Sequence, residues 1–96
     1  MFEMKNDYRN PCRCAIKDYL MRMLQETRAS CNLTQLEFSE QLFIDPRSYS
    51  RIEHGERMCC LMTFAAYLAY HCKDPNRIAS DFRHIFETYR TDTFLN

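Results

Sequence analysis

Glycine is almost missing from this 96-residue chain: there is one copy, where average usage of roughly 7% would give about seven. A sheet protein built on tight turns is nearly excluded, and so is a glycine-rich phosphate loop. Tryptophan is absent and proline occurs three times. Neither sign of charge is in excess, because 13 Lys and Arg balance 13 Asp and Glu. That removes both the basic surplus common in nucleic-acid binders and the acidic surplus of a solvating tail. The longest apolar run, Met58 to Tyr70, is broken only by Thr63 and reaches 13 residues, short of the ~20 that a membrane helix needs. The first ten residues include Glu3, Lys5, Asp7 and Arg9, so the apolar stretch of a signal peptide is missing as well. The expectation is a cytoplasmic protein with no membrane partner.

What is present points to one all-α domain. Apolar residues make up 46% of the chain, enough for a single core at this length. Six cysteines stand at positions 12, 14, 31, 59, 60 and 72. In a reducing compartment they act as small apolar residues rather than disulfide partners. Their spacing also argues against a metal centre, since Cys12 and Cys14 fall on opposite sides of a helix and Cys59 and Cys60 diverge. No cofactor is expected, and no nucleophile and base declare themselves as an enzyme's would.

Each proline follows an Asn or Asp: Asn10-Pro11, Asp45-Pro46 and Asp74-Pro75. A side-chain oxygen before a proline whose φ is already helical is a helix-start signal. Thr34 with Glu37 three residues later has the capping-box spacing. Ile16, Tyr19, Leu20, Met23 and Leu24 then recur at helical steps in a long first helix, which Asn32 ends in the left-handed conformation. Helix 2 is expected at about 35–42, with Leu36, Phe38, Ser39 and Leu42 facing inward. Helix 3 is expected at about 46–54, with Tyr49 and Ile52 inward and Gly55 closing it. A fourth helix near Leu61 to Cys72 presents Leu61, Phe64, Ala65 and Leu68 as its stripe. The last runs from Pro75 through Ile78, Phe82, Ile85, Phe86 and Tyr89. Residues 1–10 read as an N-terminal arm, 11–90 as the domain, and 91–96 as a fraying tail in which Phe94 and Leu95 can dock.

Two short helices joined only by Phe43, Ile44 and Asp45 must cross, and that is the layout of a helix-turn-helix. The stretch Leu33-Thr34-Gln35-Leu36-Glu37-Phe38-Ser39-Glu40-Gln41-Leu42, followed by Ile44-Asp45-Pro46-Arg47-Ser48-Tyr49-Ser50-Arg51-Ile52-Glu53-His54-Gly55-Glu56-Arg57, resembles the Cro and phage-repressor (Xre) type of helix-turn-helix domain. The resemblance covers roughly half the chain, Arg28 to Cys72. It implies a compact five-helix lambda-repressor-like domain whose third helix enters the major groove of double-stranded operator DNA. Arg47, Ser48, Ser50 and Arg51 then meet base edges, where one Arg bonded to both guanine acceptors contributes ~1 to 3 kcal/mol of discrimination. Gln35, His54, Arg57 and Arg28 would meet phosphates, and Arg28 with Glu53 would form the family's internal pair.

Three positions depart from the family pattern. Phe43 stands where relatives usually keep glycine, and since a left-handed Phe costs roughly 1 to 2 kcal/mol, a reshaped turn is expected. Pro46 replaces a polar reader and Glu56 replaces a Lys. Between residues 29 and 57 there are three Arg against five acids, so nonspecific DNA affinity should be modest. The expected function is a transcriptional regulator, acting as a repressor, that binds as a homodimer through Phe82, Phe86 and Tyr89. The alternative is a protein-interaction module on the same fold, an antitoxin or antirepressor bound to a regulatory protein partner.

Overall fold

The structure is a computed structural model that describes the backbone of residues 9–95 and the side chains of residues 9–90. These residues form five α-helices and no strand: α1 (Arg9–Ser30), α2 (Gln35–Gln41), α3 (Pro46–Glu53), α4 (Leu61–Tyr70) and α5 (Pro75–Leu95). They divide into two compact units. One comprises Lys17–Lys73, and the other joins the start of α1, up to Ile16, with the segment from Asp74 onward. Most of the expected N-terminal arm lies outside the described residues, as do the side chains of Phe94 and Leu95.

The helix starts follow from local chemistry. At α2 the Glu37 N–H donates to Thr34 Oγ1 (3.1 Å) and the Thr34 N–H donates to Glu37 Oε1 (2.9 Å), which completes the capping box. Asp45 accepts from the Ser48 N–H at α3 (2.8 Å), and Asp74 from the Arg77 N–H at α5 (3.1 Å). At α1 the expectation needs correcting, because Arg9 and Asn10 are already helical. Pro11 is tolerated there because an early N–H of a helix has no partner to lose.

Three helices stop in the same way. Asn32, Phe43 and Gly55 have φ of 57°, 59° and 77°, and each sits in a Schellman motif. The N–H after each of them reaches back to the carbonyl five residues earlier: Leu33 to Arg28 (3.1 Å), Ile44 to Ser39 (3.1 Å) and Glu56 to Arg51 (2.8 Å). Phe43 therefore keeps the turn that glycine would make, and the reshaping expected from its bulk does not occur. Its ring is 65% exposed, so the left-handed backbone meets no packing conflict, and its strain is offset by the two closing hydrogen bonds.

In the Lys17–Lys73 unit, Leu20, Met23 and Leu24 of α1, Phe38 and Leu42 of the α2 segment, and Tyr49 and Ile52 of α3 are buried. Rings link the elements: Phe38 meets Tyr49 edge-on at 5.6 Å and His71 at 5.1 Å, and His71 stacks on Tyr67 of α4 at 6.5 Å. Ser39 is fully buried and satisfied, its hydroxyl donating to the Leu36 carbonyl (2.8 Å). Leu36 itself points out, 53% exposed. In so short a helix the buried arc is set by Phe38, Ser39 and Leu42, and Leu36 falls outside it.

The stripe expected on α4 is also the wrong one. Thr63, Ala66 and Tyr67 are buried, whereas of the expected stripe Leu61, Ala65 and Leu68 are exposed and Phe64 is half-buried. With apolar residues all round this helix, periodicity carried no directional information. In the other unit, Ile78 of α5 is buried, Phe82, Ile85 and Tyr89 are half-buried, and Phe86 is exposed. The backbone of α5 stays helical to Leu95, so the expected fraying tail is an extra helical turn.

Candidate nucleic-acid interface

Helix α3 divides sharply. Tyr49, Ile52 and Glu53 are buried, while Arg47, Arg51 and His54 are exposed and Ser50 is half-exposed between them. Steps of three and four residues place Arg47, Ser50, Arg51 and His54 on a single face, with Ser48 half-buried at its flank. His54 is tied back to its own helix: Nδ1 lies 2.7 Å from the Ser50 carbonyl and 3.2 Å from Ser50 Oγ. The shorter contact requires a proton on Nδ1, so His54 cannot take one from the Ser50 hydroxyl through that atom. Ser50 and His54 therefore do not form a nucleophile and base. Nε2 is the ring nitrogen left for other contacts.

The opposite side of α3 is held by Glu53, a buried carboxylate on which three helices converge. Arg28 of α1 grips it with both arms of its fork, Nε to Oε2 at 2.7 Å and Nη2 to Oε1 at 2.9 Å. Gln35 of α2 donates to Oε1 (2.7 Å), and the Tyr49 hydroxyl donates to Oε2 (2.5 Å). Gln25 of α1 adds a bond to the Glu53 carbonyl (2.7 Å), and Arg28 Nη1, the nitrogen not turned to Glu53, donates to the Leu33 carbonyl (3.0 Å). Burial alone would raise the Glu53 pKa, but donors from Arg28, Tyr49 and Gln35 outweigh it and hold the carboxyl below its ordinary value. Burial, together with the bond to Glu53, pushes the Tyr49 phenol upward. The Glu53 hydrogen bond likewise raises Arg28.

The structure thus brings together Arg28, Glu53 and Gln35 from the expected set. It adds Tyr49 and Gln25, which the sequence reading passed over. Tyr49 stands four residues before Glu53, and Gln25 three before Arg28, so helical spacing was the signal that could have found them. Gln35 has one amide proton committed to Glu53, which leaves one for a phosphate. Arg57 is exposed in the segment after α3, and its charge helps, alongside the stronger Thr63 hydrogen bond, to lower the Cys60 thiol against the opposing effect of burial. Its neighbour Cys59 is buried and pushed up to about 12. Phe82, Phe86 and Tyr89 lie on α5, away in sequence from this cluster.

The acidic balance around α3 looks different once its members are placed. Glu37 and Asp45 cap helix N-termini, where the helix dipole offsets their charge, and Glu53 is neutralised by Arg28. Glu40 and Glu56 remain against Arg47, Arg51 and Arg57. Among the described residues no group of three His, Cys, Asp or Glu could hold a metal ion, no disulfide links the cysteines, and no helix is long and apolar enough to cross a membrane. Comparison of the chain with protein-family models, with curated proteins and with solved structures yielded no match.

Proposed function

We propose that this chain is a helix-turn-helix transcriptional regulator of the Cro and phage-repressor type, which represses by binding operator DNA as a homodimer with α3 in the major groove. One observation carries this reading: α3 offers Arg47, Ser50, Arg51 and His54 on one face while Glu53 anchors its other side to α1 and α2. A reading helix must be held rigidly by its scaffold, because base contacts depend on the register of the whole helix. Arg47 and Arg51 are the base readers, Ser48 and Ser50 assist, and Gln35, His54, Arg57 and the remaining donors of Arg28 meet phosphates. Two copies read half-sites one helical turn apart, and this raises the modest affinity of a single head.

Fluorescence anisotropy against a selected duplex at two salt concentrations tests the proposal. Arg47→Ala with Arg51→Ala should weaken specific binding by at least about thirtyfold and flatten its salt dependence. Weak binding that the double variant leaves unchanged would sink operator reading. It would favour the second reading, a protein-interaction module such as an antitoxin or antirepressor. That reading is motivated by Leu36 and Phe43, large apolar side chains exposed on α2 and at the turn into α3.

A further inference from the structure

His54 closes α3 with its ring turned back on its own helix, and the bond that holds it there settles the state of both ring nitrogens. Nδ1 lies 2.7 Å from the Ser50 carbonyl oxygen. A carbonyl oxygen can only accept, so the neutral ring is the Nδ1–H tautomer and Nε2 bears a lone pair without a proton. Nε2 has no partner among the described residues, and His54 is exposed on the face that also presents Arg47 and Arg51. The other two histidines are placed differently. His71 packs on Phe38 and Tyr67 and buries its Nε2, and His84 lies on α5.

We infer that His54 makes duplex binding proton-linked: the ring takes up a proton as the DNA binds, because only the imidazolium can donate from Nε2 to a phosphate. The inference rests on the operator-binding reading, in which His54 meets the DNA backbone. A phosphate oxygen accepts hydrogen bonds, so the neutral ring would face it acceptor to acceptor. A change of tautomer gives no escape, since a proton moved to Nε2 would leave the Nδ1 lone pair against the Ser50 carbonyl. A second proton keeps the Ser50 bond, turns Nε2 into a donor and brings positive charge to an anion.

No charge in the free protein does the phosphate's work. On α3 and the segment after it stand Arg51, Glu56 and Arg57, all exposed, and Glu53, which is turned to Arg28. Helix α1 meets this end of α3 through Met21 beside Gly55, Gln25 on the Glu53 carbonyl, and Arg28. Helix α2 brings Gln35, also on Glu53, with Glu37 in its capping box and Glu40 exposed. Among the described residues none of these carboxylates pairs with His54. A proton held more tightly in the complex than in the free protein gives the effect its sign. Affinity rises as pH falls through the range in which histidine changes charge, about pH 8 to 5. The gain is complete once the free ring is itself protonated, and it is absent where even the bound ring is neutral.

Fluorescence anisotropy of the full chain with a selected duplex, at fixed salt from about pH 8 to about pH 5.5, tests this against His54→Gln and His54→Arg, which carry a donor at every pH. Parent affinity should rise at least about tenfold over that range, and its salt slope should steepen by about 0.9 for each head. Both variants should show neither change. Position 54 is exposed, so both should keep the helical circular dichroism of the parent. In the free protein above about pH 8, a long-range proton-nitrogen NMR correlation should show the Nδ1–H tautomer for the ring signal that His54→Gln removes. A neutral ring protonated at Nε2 overturns the inference. So does pH dependence that survives in both variants, which assigns it to another group. An affinity that falls on acidification in the parent alone also overturns it, and makes Nε2 an acceptor from an adenine or cytosine amine. Tight duplex binding by the parent without pH dependence overturns the inference and leaves the operator-binding reading standing. No duplex bound at any pH overturns both.

Discussion

Helices α3 and α4 are of similar length and follow one another in the chain, yet they are held by opposite means. Helix α3 has a capped start, a Schellman close, a charged outward face and an inward side whose position is specified by hydrogen bonds to one carboxylate. Helix α4 has Cys60 at its N-cap with no side-chain cap bond, and its burial is decided by packing alone. Directional bonds define a unique orientation because each donor must meet its acceptor, whereas apolar surface is satisfied by any neighbour. One helix is built to keep a register and the other to lose water.

The largest test of that contrast removes the anchor of α3. Arg28→Ala leaves the Glu53 carboxylate buried without its cation and should cost about 3 kcal/mol in urea unfolding. Glu53 also makes the protein acid-sensitive with a definite sign. Its folded pKa lies below the unfolded value of about 4.3, so its contribution is complete above that pH and is lost as pH falls through the folded pKa. The acid limb of a stability profile should therefore flatten in Glu53→Gln, and an unchanged limb would remove Glu53 from the account. A smaller effect, about 2 kcal/mol, is expected for Tyr49→Phe, which deletes a hydrogen bond to a charged group.

Two substitutions should stabilise. Phe43→Gly relieves a left-handed backbone at an exposed side chain and should raise stability by about 1 kcal/mol in thermal or urea unfolding. A loss instead would mean that the ring contributes more than its exposure suggests. The smallest change is Cys60→Ser, which gives α4 the cap it lacks and should add about 0.5 kcal/mol. If it adds nothing, the serine hydroxyl stays with Thr63 Oγ1, which the Cys60 thiol meets at 3.0 Å, and does not turn to the backbone.

Much of the framework was legible beforehand. Thr34 with Glu37, Asp45 and Asp74 announced three helix starts, and Asn32 and Gly55 two stops, because capping depends on residues within one turn of each other. Phe43 was misread, since its intrinsic cost was visible but the hydrogen bonds that offset it were not. On α2, Phe38, Ser39 and Leu42 were placed correctly and Leu36 was not. On α4 three of the four stripe residues, Leu61, Ala65 and Leu68, were misplaced, because ten apolar or small residues contain no polar face to mark the outside. Of the Glu53 cluster, the sequence suggested Arg28 through resemblance alone. Gln35 on the same carboxylate belongs to contacts between helices that no spacing along the chain encodes.

By itself the sequence determined that this chain is helical, where α2, α3 and α5 begin, and that Arg47 and Arg51 share a face of α3. These are local outcomes, governed by hydrogen bonds and backbone preferences spanning four or five residues. Only the tertiary structure decided that Glu53 gathers α1, α2 and α3, that Phe43 holds a left-handed turn, and which side of α4 meets water. Each of these depends on groups distant in the chain competing for the same buried space or the same acceptor, and that competition is settled only when the helices pack.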